Sequence, residues 1–130
     1  MDVSLKGARM IKVVYCMRRK AGITHEEFLA HWAQVHVPMV LANLDALRLA
    51  SYVRTVPLQH VFSPRVERPG VMQPPYDGIA ELGWANEEDM RLAFESESAL
   101  AVQRALARDE ALFVDHALSA RWVAGEIRHV

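Results

Sequence analysis

One cysteine, Cys16, is all the thiol chemistry that 130 residues carry, which excludes an internal disulfide and any metal site built on clustered thiolates. A bilayer-spanning run is also missing. The longest apolar stretch, Val37 to Ala42 with Pro38 inside it, falls far short of the roughly 20 residues a membrane helix needs. Met1 to Lys12 lacks the apolar centre of a secretory signal, so the expected compartment is the cytoplasm. Neither sign of charge dominates: 15 Lys and Arg stand against 16 Asp and Glu. Such a balance supplies no field to draw in nucleic acid or an anionic membrane, and recognition falls to a local pocket. There is no G-x-S-x-G elbow, glycine-rich phosphate loop or zinc spacing. Cys16, inside a strand-like run, reads as a small buried hydrophobe rather than a nucleophile. Proton transfer in an apolar pocket is the chemistry that remains.

What is present describes an ordinary globular chain, 52% hydrophobic and 24% charged. A single domain is expected over residues 1–130, with its core at about 10–127. Met10 to Met17 reads as a strand apolar on both faces, with Ile11, Val13, Tyr15 and Met17 on one and Met10, Val14 and Cys16 on the other. Thr24 with Glu27 forms a capping box that opens a helix, along which Phe28, Trp32, Val35 and Met39 recur at helical spacing. Pro38 is expected to stop that helix, by removing a donor and pushing Val37 out of the α region. Met39 to Leu47 then reads as a second helical segment and Leu49 to Leu58 as a strand. Residues 57–76 hold five of the six prolines and read as a loop too long for a turn, the kind that serves as a lid or reaches a partner. Asp77 to Ala85 is a third strand. Asn86 caps a helix with three acids in its first turn, followed by helical pieces at Ser96 to Ala107 and Asp109 to His116 and a last strand at Ala120 to Ile127.

Offset by 62 residues, the cap, first-turn acids and core positions of the first half match those of the second, Thr24 with Asn86 and Trp32 with Phe94. Strand, helix, strand, repeated, is the order of an α+β ferredoxin-like split βαβ fold with a four-stranded antiparallel sheet and helices on one face. The other face, apolar yet uncovered, is expected to close against a second copy as a homodimer.

Within this frame His36 is the leading acid or base. A helix terminus with a free carbonyl nearby favours its protonated form, and it lies about 80° from Phe28 on the helix, at the border of the buried face. The alternative is an imidazole that only caps a broken turn. His31, about 60° to the other side, braces the backbone, packs beside Trp32 or touches substrate. On the third strand Asp77 and Glu81 share the face opposite Leu82 and Trp84, where a carboxylate out of water acts as acid or base or orients an imidazole. Alternatively, Asp77 only begins the strand and Glu81 only pairs with Arg54 or Arg121. Tyr52, Tyr15 and Tyr76 are the three phenols, each able to donate to a carbonyl or phenolate oxygen. Trp84 and His116 complete the candidate pocket residues.

The segments MIKVVYCMRRKAGITHEEFLAHWAQVHVPMV, YDGIAELGWANEEDM and DEALFVDH resemble the EthD family of dimeric α+β-barrel proteins over about Met10 to Val123. The F-x-x-H-W and H-x-P elements stand as Phe28, His31, Trp32, His36 and Pro38. The resemblance implies a dimer with a pocket between each sheet and its helices, no obligatory metal or organic cofactor, and a small hydrophobic or aromatic ligand. Similar proteins are associated with breakdown of ethers and aromatics, and polyketide-pathway relatives act as decarboxylases or dehydratases. Gly83 departs from the family pattern and is expected to open the pocket if it points inward. Three functions stay open. They are a cofactor-independent lyase, dehydratase or isomerase acting on a small aromatic or polyketide-like carbonyl compound, a non-catalytic ligand-binding protein, and haem or oxygen chemistry with His36 or His116 as axial ligand.

Overall fold

A computed structural model describes residues 10–130; residues 1–9, part of the single-domain expectation and of the Met1 to Lys12 reading, lie outside the described residues. Among the described residues four strands, β1 (Ile11–Met17), β2 (Ser51–Thr55), β3 (Gly78–Trp84) and β4 (Ala120–Gly125), form one sheet in the order β2-β3-β1-β4. Every pairing is antiparallel. Helices α1 (His25–His31), α2 (Val37–Leu41) and α3 (Leu44–Leu47) connect β1 to β2, and α5 (Glu87–Glu95) with α6 (Glu97–Phe113) connects β3 to β4. This is the α+β, ferredoxin-like order expected from the sequence.

Local chemistry places the helix starts. The Thr24 side chain accepts the Glu27 amide while the Glu27 carboxylate accepts the Thr24 amide, and Asn86 accepts the Asp89 amide. The halves match at these caps but not in their cores, since Trp32 is buried whereas Phe94 is almost half exposed. The segment 57–76 is also more ordered than its prolines suggested: α4 (Ser63–Glu67) takes Pro64 in its first turn, where the missing donor does no harm. Its far end is tied down by Arg18, whose guanidinium donates to the carbonyls of Pro74 and Pro75 and lies over the Tyr76 ring.

The helix opened by Thr24 does not stop at Pro38. Residues Trp32–His36 form one π turn, the Val37 amide donates to the Trp32 carbonyl, and α2 continues with Pro38 in its first turn. Val37 stays helical at φ −56°, ψ −47°, contrary to expectation. A wide turn places the proline where an i→i−4 partner is already lost, so the helix absorbs it rather than breaking. The wide turn also re-aims every side chain after Trp32. The buried stripe becomes Phe28, Trp32, His36 and Val40, at 0, 1, 7 and 2% exposure, while Val35, expected in the core, is 43% exposed.

Side chains of the sheet alternate between two environments. Val13, Tyr15, Met17, Tyr52, Ala80, Leu82 and Trp84 face the helices and meet Phe28, Trp32, Phe113 and Leu106 in the core. The opposite face carries the paired row Val53, Glu81, Val14 and Trp122, of which Val53 and Trp122 are half exposed. Gly78 is required on the helix side, because a Cβ there would collide with the Trp32 indole. Gly83 points the other way, toward Ser51 and Met10, so it does not open the pocket.

Candidate functional site

Between the sheet and the helices lies a cavity of about 300 Å³. Its floor is Val13, Tyr15, Met17, Ala80 and Leu82, its walls Trp32, His36, Val40, Leu106 and Glu110, and its mouth Arg121, Trp122 and Val123. The π turn delivers His36 to this space. Its Nδ1 lies 2.7 Å from Asp109 Oδ2, and His31 Nε2 lies 2.9 Å from Oδ1 of the same carboxylate. A carboxylate brings no proton, so each imidazole donates to it. His36 Nδ1–H is thereby fixed, which leaves Nε2 as the nitrogen available to the cavity. Phe113 packs against both rings, with centroids 4.7 Å from His31 and 5.4 Å from His36.

Two phenols, Tyr15 and Tyr52, join His36 in lining the cavity. The Trp32 indole N–H donates to the Tyr52 oxygen at 3.2 Å, so the Tyr52 hydroxyl keeps its own proton for a ligand. Burial raises the Tyr52 phenol above its usual range, partly offset by the Trp32 hydrogen bond and the Arg54 charge. Burial and then the Glu110 carboxylate push Tyr15 well above that range, opposed weakly by Arg121. Both are neutral donors near pH 7. Trp84 also lines the cavity, held by its indole N–H donating to the Leu47 carbonyl at 2.8 Å.

The other sequence candidates stand elsewhere. Glu81 lies on the far face of the sheet, where Lys12 Nζ approaches it at 3.8 Å rather than Arg54 or Arg121, so it does not orient His36. Asp77 ties β3 to the loop after β1. Its carboxylate accepts the Arg19 amide at 2.7 Å, the Arg19 guanidinium at 2.8 Å and His25 Nδ1–H at 2.9 Å. Tyr76 lies under Arg18, outside the cavity. His116, on a 3-10 turn at His116–Leu118, borders a neighbouring hollow that shares Tyr15, Glu110 and Arg121 with the main cavity. Among the described residues no group of three or more His, Cys, Asp or Glu side chains is placed to hold a metal ion. Among the same residues no helix is long and apolar enough to cross a membrane.

Asp109 and Glu110 are the site residues the sequence reading missed. Both are buried, and both follow Leu106 and precede Phe113 on the inner stripe of α6. Division of this segment at Arg108 made them resemble solvent-facing acids of a helix start. One unbroken helix of 17 residues puts them in the core. The usable signal is a pair of acids at positions i+3 and i+4 from a core leucine.

Asp77 supports a stability prediction. Burial pushes its carboxyl up, but the hydrogen bonds from the Arg19 amide, His25 and the Arg19 side chain outweigh this and hold it below the ordinary carboxylate range. A depressed folded-state value stabilises the fold fully above the unfolded value of about 4, and this contribution fades as pH falls through the lower folded value. Asp77→Asn is expected to lose about 1–3 kcal/mol at pH 7 and to show a flatter acid limb in urea titrations at pH 2–6. A limb as steep as the wild type's would locate the acid sensitivity in another carboxylate.

Several solved structures share the fold. An EthD family protein from Bacillus halodurans matches with a TM-score of 0.61 at 15% identity, over 91% of this chain and 99% of that one. An EthD-like protein from Ralstonia eutropha gives 0.58 at 18% identity, over 91% and 92% of the two chains. A Bacteroides fragilis protein described as dimeric and ferredoxin-like gives 0.56 at 11% identity, over 90% and 96%. No curated protein matches the sequence significantly. The family model for the EthD domain matches residues 20–117, from the loop after β1 to the turn before β4. With three-quarters of its length under that match and the fold in agreement, the chain belongs to the EthD family.

Proposed function

We propose that the cavity catalyses proton transfer on a small aromatic or polyketide-like carbonyl compound, in a lyase, dehydratase or isomerase reaction that needs no resident cofactor. The observation that carries this reading is a buried imidazole lining an apolar cavity with its Nδ1 held 2.7 Å from a carboxylate. That arrangement fixes the tautomer and steadies the imidazolium, as a general base requires. His36 Nε2 removes a proton from the carbon beside the carbonyl. The electron pair moves onto the carbonyl oxygen, and Tyr52 O–H donates to the enolate that forms. The imidazolium then returns its proton, to a different carbon in an isomerisation or to a departing β-hydroxyl in a dehydration. His31 acts through Asp109 as a positioning residue. A second copy of the chain closes the far sheet face over Val53 and Trp122; the Bacteroides fragilis protein of the same fold is itself described as dimeric.

Deuterium exchange tests the reading. A panel of aryl ketones and 1,3-dicarbonyl compounds is incubated with the protein in D₂O, and loss of the C–H signal is followed by proton NMR. The expected result is exchange above the buffer rate at the carbon beside the carbonyl, abolished in His36→Ala. Exchange equally fast in that variant overturns the assignment. Tight binding with no exchange favours the non-catalytic ligand-binding alternative.

A further inference from the structure

Glu110 stands beside Asp109 on α6, yet its partners differ entirely. Asp109 spends both oxygens on the two imidazoles. Glu110, largely buried, has an Oε1 that finds no hydrogen-bond donor among the described residues. The nearest cation, Arg121 Nη1, lies 3.9 Å away with its side chain largely in solvent and its guanidinium over the Tyr15 ring. The Tyr15 phenol feels the Glu110 carboxylate through its charge and a hydrogen-bonding pull, yet Oε1 itself has no donor within hydrogen-bonding distance among the described residues. A buried acceptor left unmatched is costly, and this one sits in the wall of the cavity.

We propose that Glu110 is a specificity residue which selects ligands carrying a hydroxyl hydrogen, a phenol or an enol, by accepting that hydrogen at Oε1. The proposal rests on the reading of this cavity as the ligand site and adds a substrate class to it. Adjacent positions on one helix then divide two tasks: Asp109 serves the base, and Glu110 recognises the hydroxyl. Because β1 places Tyr15 next to Glu110, the selected hydroxyl sits toward the β4 side of the cavity, and the carbon to be deprotonated toward His36. A cavity of about 300 Å³ stands at the small end of ligand sites and suits one or two fused rings.

A matched pair of probes, 2-naphthol and 2-methoxynaphthalene, isolates the hydrogen in question, and calorimetry with the full chain reads both affinities. Wild type is expected to prefer the naphthol by about tenfold or more, the penalty for leaving a buried acceptor unpaired. Glu110→Gln presents an amide that can donate to the ether oxygen, and is expected to narrow the preference to about threefold or less. Arg121→Met keeps the wild-type preference if the neutral phenol is recognised by Glu110, and loses it if a phenolate is recognised by the guanidinium. Should Glu110→Gln fail to fold, the wild-type pair and Arg121→Met decide alone. Equal wild-type affinities, a preference that survives in Glu110→Gln or disappears in Arg121→Met, or no binding of either probe overturns the proposal. Each of these leaves the His36 reading to its own exchange assay, so the two fail separately.

Discussion

Replacing His36 with alanine is expected to lower turnover by about 10²–10⁴-fold while ligand affinity changes little, because the imidazole contributes a proton acceptor rather than most of the cavity wall. Asp109→Asn should move in the same direction. Its amide oxygen still accepts Nδ1–H, but the negative charge that steadies the imidazolium is gone. Profiles of kcat/KM against pH separate the two roles. His36→Ala removes the limb belonging to the base, and Asp109→Asn displaces it. His31→Gln, which keeps a donor for Asp109 Oδ1, should retain most of the rate, as befits a residue that acts only through the carboxylate. Undiminished turnover in His36→Ala removes the imidazole from the mechanism.

Trp32→Ala is expected to cost about 3–5 kcal/mol of stability, since the indole is fully buried at the centre of the core and loses both packing and its bond to Tyr52. Gly78→Ala should cost about 1–3 kcal/mol for the opposite reason, an added methyl where the ring already sits. The two should not add. In Trp32→Ala/Gly78→Ala the obstruction is gone, so the alanine at 78 becomes nearly neutral. Urea denaturation of the four proteins measures the coupling. Strict additivity would show that position 78 is strained by its strand neighbours and not by the indole.

The contrast between positions 78 and 83 shows what a sequence reveals and what it conceals. Strand alternation set Gly83 on the face of Glu81 and Gly78 on that of Trp84, but it did not say which glycine a large side chain leaned on. Helix caps were legible, because a side chain and an amide three residues apart need no tertiary context. Strand order followed from two repeats of strand, helix, strand. His36 was legible as a candidate, though for a reason the fold replaces: the helix runs on past it, and its partner is Asp109 rather than a dipole terminus. Asp109 and Glu110 were hidden because acids near a supposed helix start look solvated. Asp77 and Glu81 had the right chemistry for a partner but lie outside the cavity.

The π turn between Trp32 and His36 bears on how homologous chains are compared. It holds one residue more than a regular helix uses to come round to the same side. A relative with a straight helix would present its inward group three positions after the tryptophan, where this chain has Val35. Gapless superposition of two such sequences would pair a solvent-facing valine with that inward group and report the imidazole as lost. A single-residue gap inside these five positions restores the equivalence.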